Sequence, residues 1–192
     1  MGKVRPGTVR IFIAEHAMDD ATCRRVQAAM DAGVREPSEV IDDDLTLVEA
    51  VRRASHIEVP PAVFELIDAH LDRLRDAIAA FFEWPLEGRE GVNLLRYDPG
   101  GFYKPHVDKA DLPAWPPAAR RAFTVVLFLE SSRDADPVGG FSGGLLRLFP
   151  EDAEPVDIVP RRGLLVAFPA ETVHEVSPVV DGHRDTVVDW FS

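Results

Sequence analysis

A single cysteine, Cys23, occurs in the 192 residues, so no intrachain disulfide can form and no cysteine-rich zinc site exists. The lone thiol suits a reducing cytoplasm, with Cys23 on the buried face of a helix. No apolar run approaches the ~20 residues that span a bilayer, so no membrane association is expected. The opening MGKVRPGTVRIFI carries positive charge but lacks a continuous apolar core and a small-residue cleavage site, and it reads as mature sequence. Cations are outnumbered, 21 Lys and Arg against 33 Asp and Glu, for a formal charge of −12. That balance argues against a nucleic-acid binder, which must neutralise phosphates. Internal repeats and long linkers are also missing. The acidic run Asp42, Asp43, Asp44, at the end of a loop from Pro37, lacks the spacing of a Ca²⁺ loop and reads as a solvated turn. The glycine-rich stretch from Gly139 to Gly144 lacks the Lys-Ser/Thr of a phosphate loop and reads as a hairpin connection.

What is present is a 46% hydrophobic composition, enough for one domain over 1–192 with a substantial core. The pattern changes near residue 90. Before it, Val9 to Ile13 reads as a short strand, and Asp19 or Asp20 caps a helix to about Met30 that Gly33 stops. Pro60 and Pro61 open a longer helix whose stripe is Val63, Leu66, Ile67, Leu71, Leu74, Ile78 and Phe81. His70 lies beside that stripe as a packing residue. After residue 90, seven short segments rich in β-branched and aromatic residues alternate with Gly, Pro and Asp clusters: Val92–Tyr97, Phe123–Leu129, Leu145–Phe149, Val156–Val159, Leu164–Phe168, Val173–Ser177 and Thr186–Phe191. The expectation is an α+β domain, with a mainly helical support region over 1–90 covering one outer face of a β-sandwich core over 91–192.

The chemistry sits in YDPGGFYKPHVD, Tyr97 to Asp108. On an extended strand, residues two apart point to the same side, so His106 and Asp108 converge. A metal needs a third ligand, and His174, at the start of a later strand, is the best candidate. Two histidines and one carboxylate on one face of an octahedron leave three positions open, the triad of non-haem Fe(II) oxygenases. A structural zinc site would be closed by four ligands. Ten residues on, Arg184 enters the next strand if the chain turns at Asp181–Gly182. A guanidinium there can grip a carboxylate bidentately. The competing reading of Arg184 is a strand-edge salt bridge with Asp181, Asp185 or Asp189, and that of the triad is a buried network without metal. His183 should face away from the site, and His16 and His56 read as surface or boundary residues.

From about Val92 to Ser192 the chain resembles the 2-oxoglutarate/Fe(II) oxygenases of the prolyl 4-hydroxylase type. The resemblance runs through Tyr97, Gly101, Tyr103, His106, Asp108, Arg121-x-x-Thr124, Gly143-Gly144, Pro160-x-x-Gly163, His174, Pro178-Val179, Gly182, Arg184 and Trp190. It implies a double-stranded β-helix, or jelly roll. It implies iron held by His106, Asp108 and His174, and Arg184 paired with the distal carboxylate of 2-oxoglutarate. Tyr97 and Tyr103 would line the co-substrate pocket or substrate entrance, with Trp190 packed beside the site. Where some relatives place a co-substrate-binding tyrosine after the Arg-x-x-Thr element, this chain has Val125 to Leu129. Phe128 cannot donate, which leaves Tyr103 or Thr124 to supply that bond, or the bond absent.

The implied activity is hydroxylation of an unactivated C–H bond using Fe(II), 2-oxoglutarate and O₂, with ascorbate a candidate reductant. The substrate would be a prolyl residue, an amino acid or a related small molecule or short peptide. Two alternatives stand beside it: a cupin-like metal dioxygenase that does not use 2-oxoglutarate, and a non-catalytic binding module on an oxygenase scaffold. The proline-rich stretch Lys109 to Arg120 is either a plain surface loop or a lid whose Trp115 covers substrate. The sequence leaves the oligomeric state open.

Overall fold

The computed structural model describes residues 10–38, 40–41, 45–46, 50–113, 115–151 and 153–192. Two α-helices are present among them, with a short 3-10 helix at Pro116–Arg120. The first, α1 (Asp20–Ala32), starts where Asp19 accepts a 2.8 Å hydrogen bond from the Thr22 backbone N–H. It buries Cys23, Val26 and Met30, residues three and four apart. The second, α2 (Pro61–Phe82), begins with Pro61, whose missing N–H costs nothing in a first turn, and ends at Glu83 in the left-handed region. Val63, Ile67, Leu71 and Ile78 are its buried stripe. The expected last member, Phe81, falls off that stripe to the surface, where the Arg10 guanidinium lies 5.2 Å from its ring centre.

The strands form two principal sheets. A seven-stranded sheet runs in the order Phe12–Ala14, Leu165–Pro169, Phe123–Phe128, Arg184–Phe191, Asn93–Tyr97, Ser55–Glu58, Val34–Pro37. A five-stranded sheet runs Val156–Ile158, Leu146–Phe149, Val173–Val176, Phe102–His106, Arg52–Arg53. Every strand pairing within the two sheets is antiparallel, and together the sheets make the expected jelly roll. The seven expected strands are all present with slightly shifted ends; the first ninety residues hold both α-helices, as expected of a mainly helical region, and also contribute short strands to both sheets. Ser55–Glu58 and Val34–Pro37 are short and polar, so no alternation announced them. Phe102–His106 was assumed extended around His106 but was not among the seven segments, because Lys104, Pro105 and His106 give it no apolar run, and it ends before Asp108. The loop expected from Pro37 onward is partly a hairpin, Val40–Ile41 pairing with Leu45–Thr46; the acidic run at 42–44 lies outside the described residues.

Alternation along Phe123–Phe128 sorts the interior. Phe123, Val125 and Leu127 face the helices in one cluster with Cys23, Met30, Ile67 and Leu71. Val126 and Phe128 face the other sheet with Leu146, Leu148, Val166 and Phe168. Each such buried aliphatic side chain stabilises the fold by roughly 1.5–3 kcal/mol. The strand Arg184–Phe191 follows the same rule. Val187 and Phe191 join the helix-side cluster, and beside them Asp185 and Asp189 pair with Arg96 and Arg89. Arg184, Val188 and Trp190 line the space between the sheets.

Candidate metal centre and anion pocket

His106 and His174 are direct register partners across two antiparallel strands, with a register shift before Val176 and Tyr103. Their ring centres stand 4.2 Å apart. Asp108 reaches the pair from just past the end of the Phe102–His106 strand, not from within it. Convergence therefore does not come from strand alternation alone. The backbone N–H groups of Asp108 and Lys109 both donate to the Ala170 carbonyl at 3.0 Å, which folds the carboxylate back toward the histidines. One ligand atom from each of the three residues lies within 4.8 Å of the others.

Backbone carbonyls fix both imidazoles. Nδ1 of His106 lies 2.8 Å from the Lys104 carbonyl and Nδ1 of His174 lies 2.9 Å from that of Thr172. A carbonyl can only accept, so each Nδ1 carries the proton and each Nε2 keeps its lone pair. Those Nε2 atoms are the ones facing Asp108, at 3.5 Å from Oδ1 for His106 and 3.5 Å from Oδ2 for His174. Burial pushes His174 down to about 4, against the pull of Asp108, so it is neutral and ligand-competent at neutral pH. Burial alone would raise the Asp108 carboxyl; positive charge on His174 or His106, with the Thr124 hydroxyl, pulls it well below the usual carboxylate range, and a divalent metal held at the same point would act in the same sense. Three lone-pair donors aimed at one point, with no cation among the described residues to neutralise the carboxylate, fit a divalent metal.

Arg184 supplies the second half of the site. It is 2% exposed, and its Nε has no hydrogen-bond partner among the described residues. Its one hydrogen bond there is long, 3.4 Å from Nη1 to the Thr186 hydroxyl. The aspartates that might have neutralised it are engaged elsewhere: Asp181 with Arg133, Asp185 with Arg96 and Asp189 with Arg89. Burial pushes Arg184 down to about 10, which leaves it cationic at neutral pH. Its guanidinium stands 5.2 Å from the ring centres of both Tyr97 and Phe128. A buried guanidinium without a carboxylate is costly, and an anionic ligand would offset that cost. Room for the side chain comes from Gly144, whose φ is +61° and where a Cβ would stand 2.9 Å from Cδ of Arg184. Arg184 does not reach the site as a hairpin neighbour of His174, as the expected turn implied. The two strands belong to facing sheets, and Val179–Asp181, paired with Ser142–Gly143, lies between them in the chain.

One cavity of about 700 Å³ is lined by the three triad residues, Arg184, Tyr97, Tyr103, Thr124 and Trp190. Tyr103 stacks on His106 with ring centres 3.4 Å apart, and burial pushes its phenol up to about 12. Thr124 directs its hydroxyl at Asp108 Oδ2, 2.7 Å away. Trp190 has a buried indole N–H without a partner among the described residues. His183 faces away, 3.6 Å from Asp185 Oδ2, and His16 is exposed. His56, read from the sequence as a boundary residue, lines the cavity together with Ser38 and Arg52. Sequence reasoning also missed Glu90, which binds Arg121 and Trp115 from 31 and 25 residues away. No periodicity signals contacts across such separations.

Comparison with known proteins gives a consistent picture. The family model described as "2OG-Fe(II) oxygenase superfamily" matches residues 92–192, over half of the chain. A PKHD-type hydroxylase of Sphingopyxis alaskensis is 28% identical over 165 residues, 84% of this chain and 66% of that protein. A PKHD-type hydroxylase of Synechococcus sp. (strain JA-2-3B'a(2-13)) is 32% identical over 94 residues, 49% of this chain and 39% of that protein. The chain thus spans less than two thirds of either relative. Among solved structures, a Pseudomonas putida prolyl-4-hydroxylase superposes with a TM-score of 0.73 at 27% identity, covering 96% of this chain and 92% of that one. A Trichoplax adhaerens prolyl hydroxylase, solved with a hypoxia inducible factor peptide fragment, superposes with a TM-score of 0.72 at 19% identity, covering 94% and 82%, and it shares the fold.

Proposed function

Because the chain belongs to the 2OG-Fe(II) oxygenase superfamily, we propose that it is a 2-oxoglutarate-dependent dioxygenase that hydroxylates an unactivated C–H bond. The observation that carries this reading is a buried, carboxylate-free Arg184 sharing one cavity with the His106, Asp108 and His174 donors. Nε2 of each histidine and the Asp108 carboxylate would hold Fe(II), and Arg184 would pair with the far carboxylate of 2-oxoglutarate. Bound Fe(II), with 2-oxoglutarate and O₂, supplies the oxidising chemistry. The residues of the chain bind, orient and exclude. The two carbonyl-fixed imidazoles keep their lone pairs inward. Tyr97 and Phe128 flank the Arg184 guanidinium and keep water from it. Tyr103 holds the His106 ring flat. With Thr124 engaged by Asp108, Tyr103 and Trp190 remain as donors toward the co-substrate.

The substrate would be a prolyl residue in a peptide, with a free amino acid or related small molecule as the narrower option. Likeness to a prolyl-4-hydroxylase over 96% of the chain supports the former. Arg184, buried without a carboxylate beside its free Nε, speaks against a cupin-like enzyme that does without 2-oxoglutarate, and the intact donor set speaks against a non-catalytic module. A cytoplasmic setting suits the reduced, buried Cys23; among the described residues, no helix is long and apolar enough to cross a membrane. The test is a screen for succinate release with Fe(II), 2-oxoglutarate and proline-containing peptides or amino acids, with and without ascorbate, read also by mass for one added oxygen. Metal binding without substrate-stimulated succinate release across that panel would reject the proposed activity.

A further inference from the structure

Arg121 lies at the junction of three segments that meet beside the site. Its Nε and Nη2 each donate to the Glu90 carboxylate at 2.6 Å. Its Nη1 donates to the backbone carbonyl of Asp108 at 2.9 Å. Its guanidinium also lies 3.7 Å from the ring centre of Trp190. The same Glu90 accepts a 2.7 Å hydrogen bond from the Trp115 indole N–H. Both side chains of the ion pair are shielded, Arg121 7% and Glu90 13% exposed, so the charge-assisted bonds are little screened.

We propose that Arg121 is the positioning residue for the Asp108 ligand, clamped by Glu90, and that the same clamp holds Trp115 against the cavity as a wall of the substrate subsite. The inference rests on the metal reading given above. Asp108 stands beyond the end of its strand, so no sheet ladder fixes its peptide. Two contacts replace the ladder: the N–H bond to Ala170 on one side and the Arg121 bond to its carbonyl on the other. A carboxylate ligand whose backbone can swing would lose the arrangement that keeps its two oxygens 3.5 Å from the two imidazoles. Trp115 follows Asp108 by seven residues, so its bond to Glu90 ties the far end of the same loop to the same anchor.

The test uses Arg121→Met, the milder Glu90→Gln, and Trp115→Phe, which keeps an aromatic ring but removes the indole N–H along with the five-membered ring. Co(II) titration read by visible absorption reports both affinity and ligand field, and amide exchange of residues 107–109 reports the clamp without any metal. Glu90→Gln is expected to fold with the parent's circular dichroism, weaken Co(II) binding about tenfold and shift the absorption bands. Arg121→Met should do so more strongly. Trp115→Phe should leave Co(II) binding unchanged and raise amide exchange at 110–118. Folded Arg121→Met or Glu90→Gln protein with the parent's Co(II) affinity, spectrum and exchange at 107–109 would overturn the proposal. If the parent itself binds no Co(II), the metal reading falls, and exchange at 107–109 alone still decides whether Arg121 clamps Asp108.

Discussion

Thr124 donates its hydroxyl hydrogen to Oδ2 of Asp108 over 2.7 Å. The two residues are 16 apart in sequence, and the bond joins the seven-stranded sheet to the loop that follows the five-stranded one. It stabilises the ionised carboxylate and fixes its rotation. Thr124→Val keeps the branched shape and removes the donor. Co(II) or Fe(II) affinity is expected to fall about tenfold, with Thr124→Ser close to the parent. Unchanged affinity in Thr124→Val, measured by calorimetry, would show that the hydroxyl does not tune the ligand.

Gly144 and Arg184 make a second pair that can be separated from the metal. An alanine at 144 would be strained at φ +61° and would push on Arg184 Cδ. Gly144→Ala should raise the KM for 2-oxoglutarate while leaving metal affinity near that of the parent. Arg184→Met, which removes the guanidinium itself, should raise that KM about 100-fold through loss of charge-assisted bonds. Equal KM values in parent and Arg184→Met would refute the role given to this arginine.

Much of this site was legible in the sequence, and the reasons are local. His106 and Asp108 are close in the chain, which made them visible as a pair, although their convergence also needs the Ala170 carbonyl that turns the chain past the strand end. His174 was singled out as a histidine at the start of a later strand and Arg184 by its place ten residues on, and the family resemblance then assigned their roles. The strands after residue 90 were legible because buried strands are rich in β-branched and aromatic residues. What stayed hidden depends on distant partners. The Glu90–Arg121 pair, the Gly144 contact with Arg184 and the cavity-lining place of His56 arise only when far segments meet. The polar strands Val34–Pro37 and Ser55–Glu58 form because a sheet edge offers hydrogen bonds, a cause that leaves no hydrophobic pattern.

Arg96 and Asp185 form a buried pair, with bonds of 2.6 Å from Nε to Oδ1 and from Nη2 to Oδ2. Burial alone would depress Arg96, but the Asp185 carboxylate holds it above its ordinary value. Removing Asp185 leaves Arg96 only the exposed Asp31, 2.8 Å from its Nη2. Asp185→Asn should lower unfolding stability by about 3 kcal/mol, and Arg96→Met/Asp185→Leu should recover much of that loss. Urea denaturation of the three proteins decides, and a single variant as stable as the parent would refute the expectation.

Cys23 is fully buried, and burial pushes its thiol up to about 12 from an ordinary 9.0. The folded state therefore disfavours the thiolate. The stability linked to this group is complete below pH 9 and fades as pH rises from 9 toward 12, where the unfolded chain ionises first. Iodoacetamide at pH 8 should label the native protein far more slowly than the urea-unfolded protein. The urea midpoint should drop between pH 8 and pH 10.5 more in the parent than in Cys23→Ala. Rapid labelling of the native protein would contradict the assignment.

The strand Arg184–Phe191 has two audiences, one on each side. Its even-numbered residues serve the reaction chamber, and its odd-numbered ones anchor the helical layer. A one-residue slip of its register would turn every side chain over at once, presenting Asp185 and Asp189 to the chamber and Arg184 to the helices, and a residue added or deleted within it would do so for the part on one side of the change. The turns at the two ends are therefore where length can change without carrying Arg184 or Asp185 into the wrong layer.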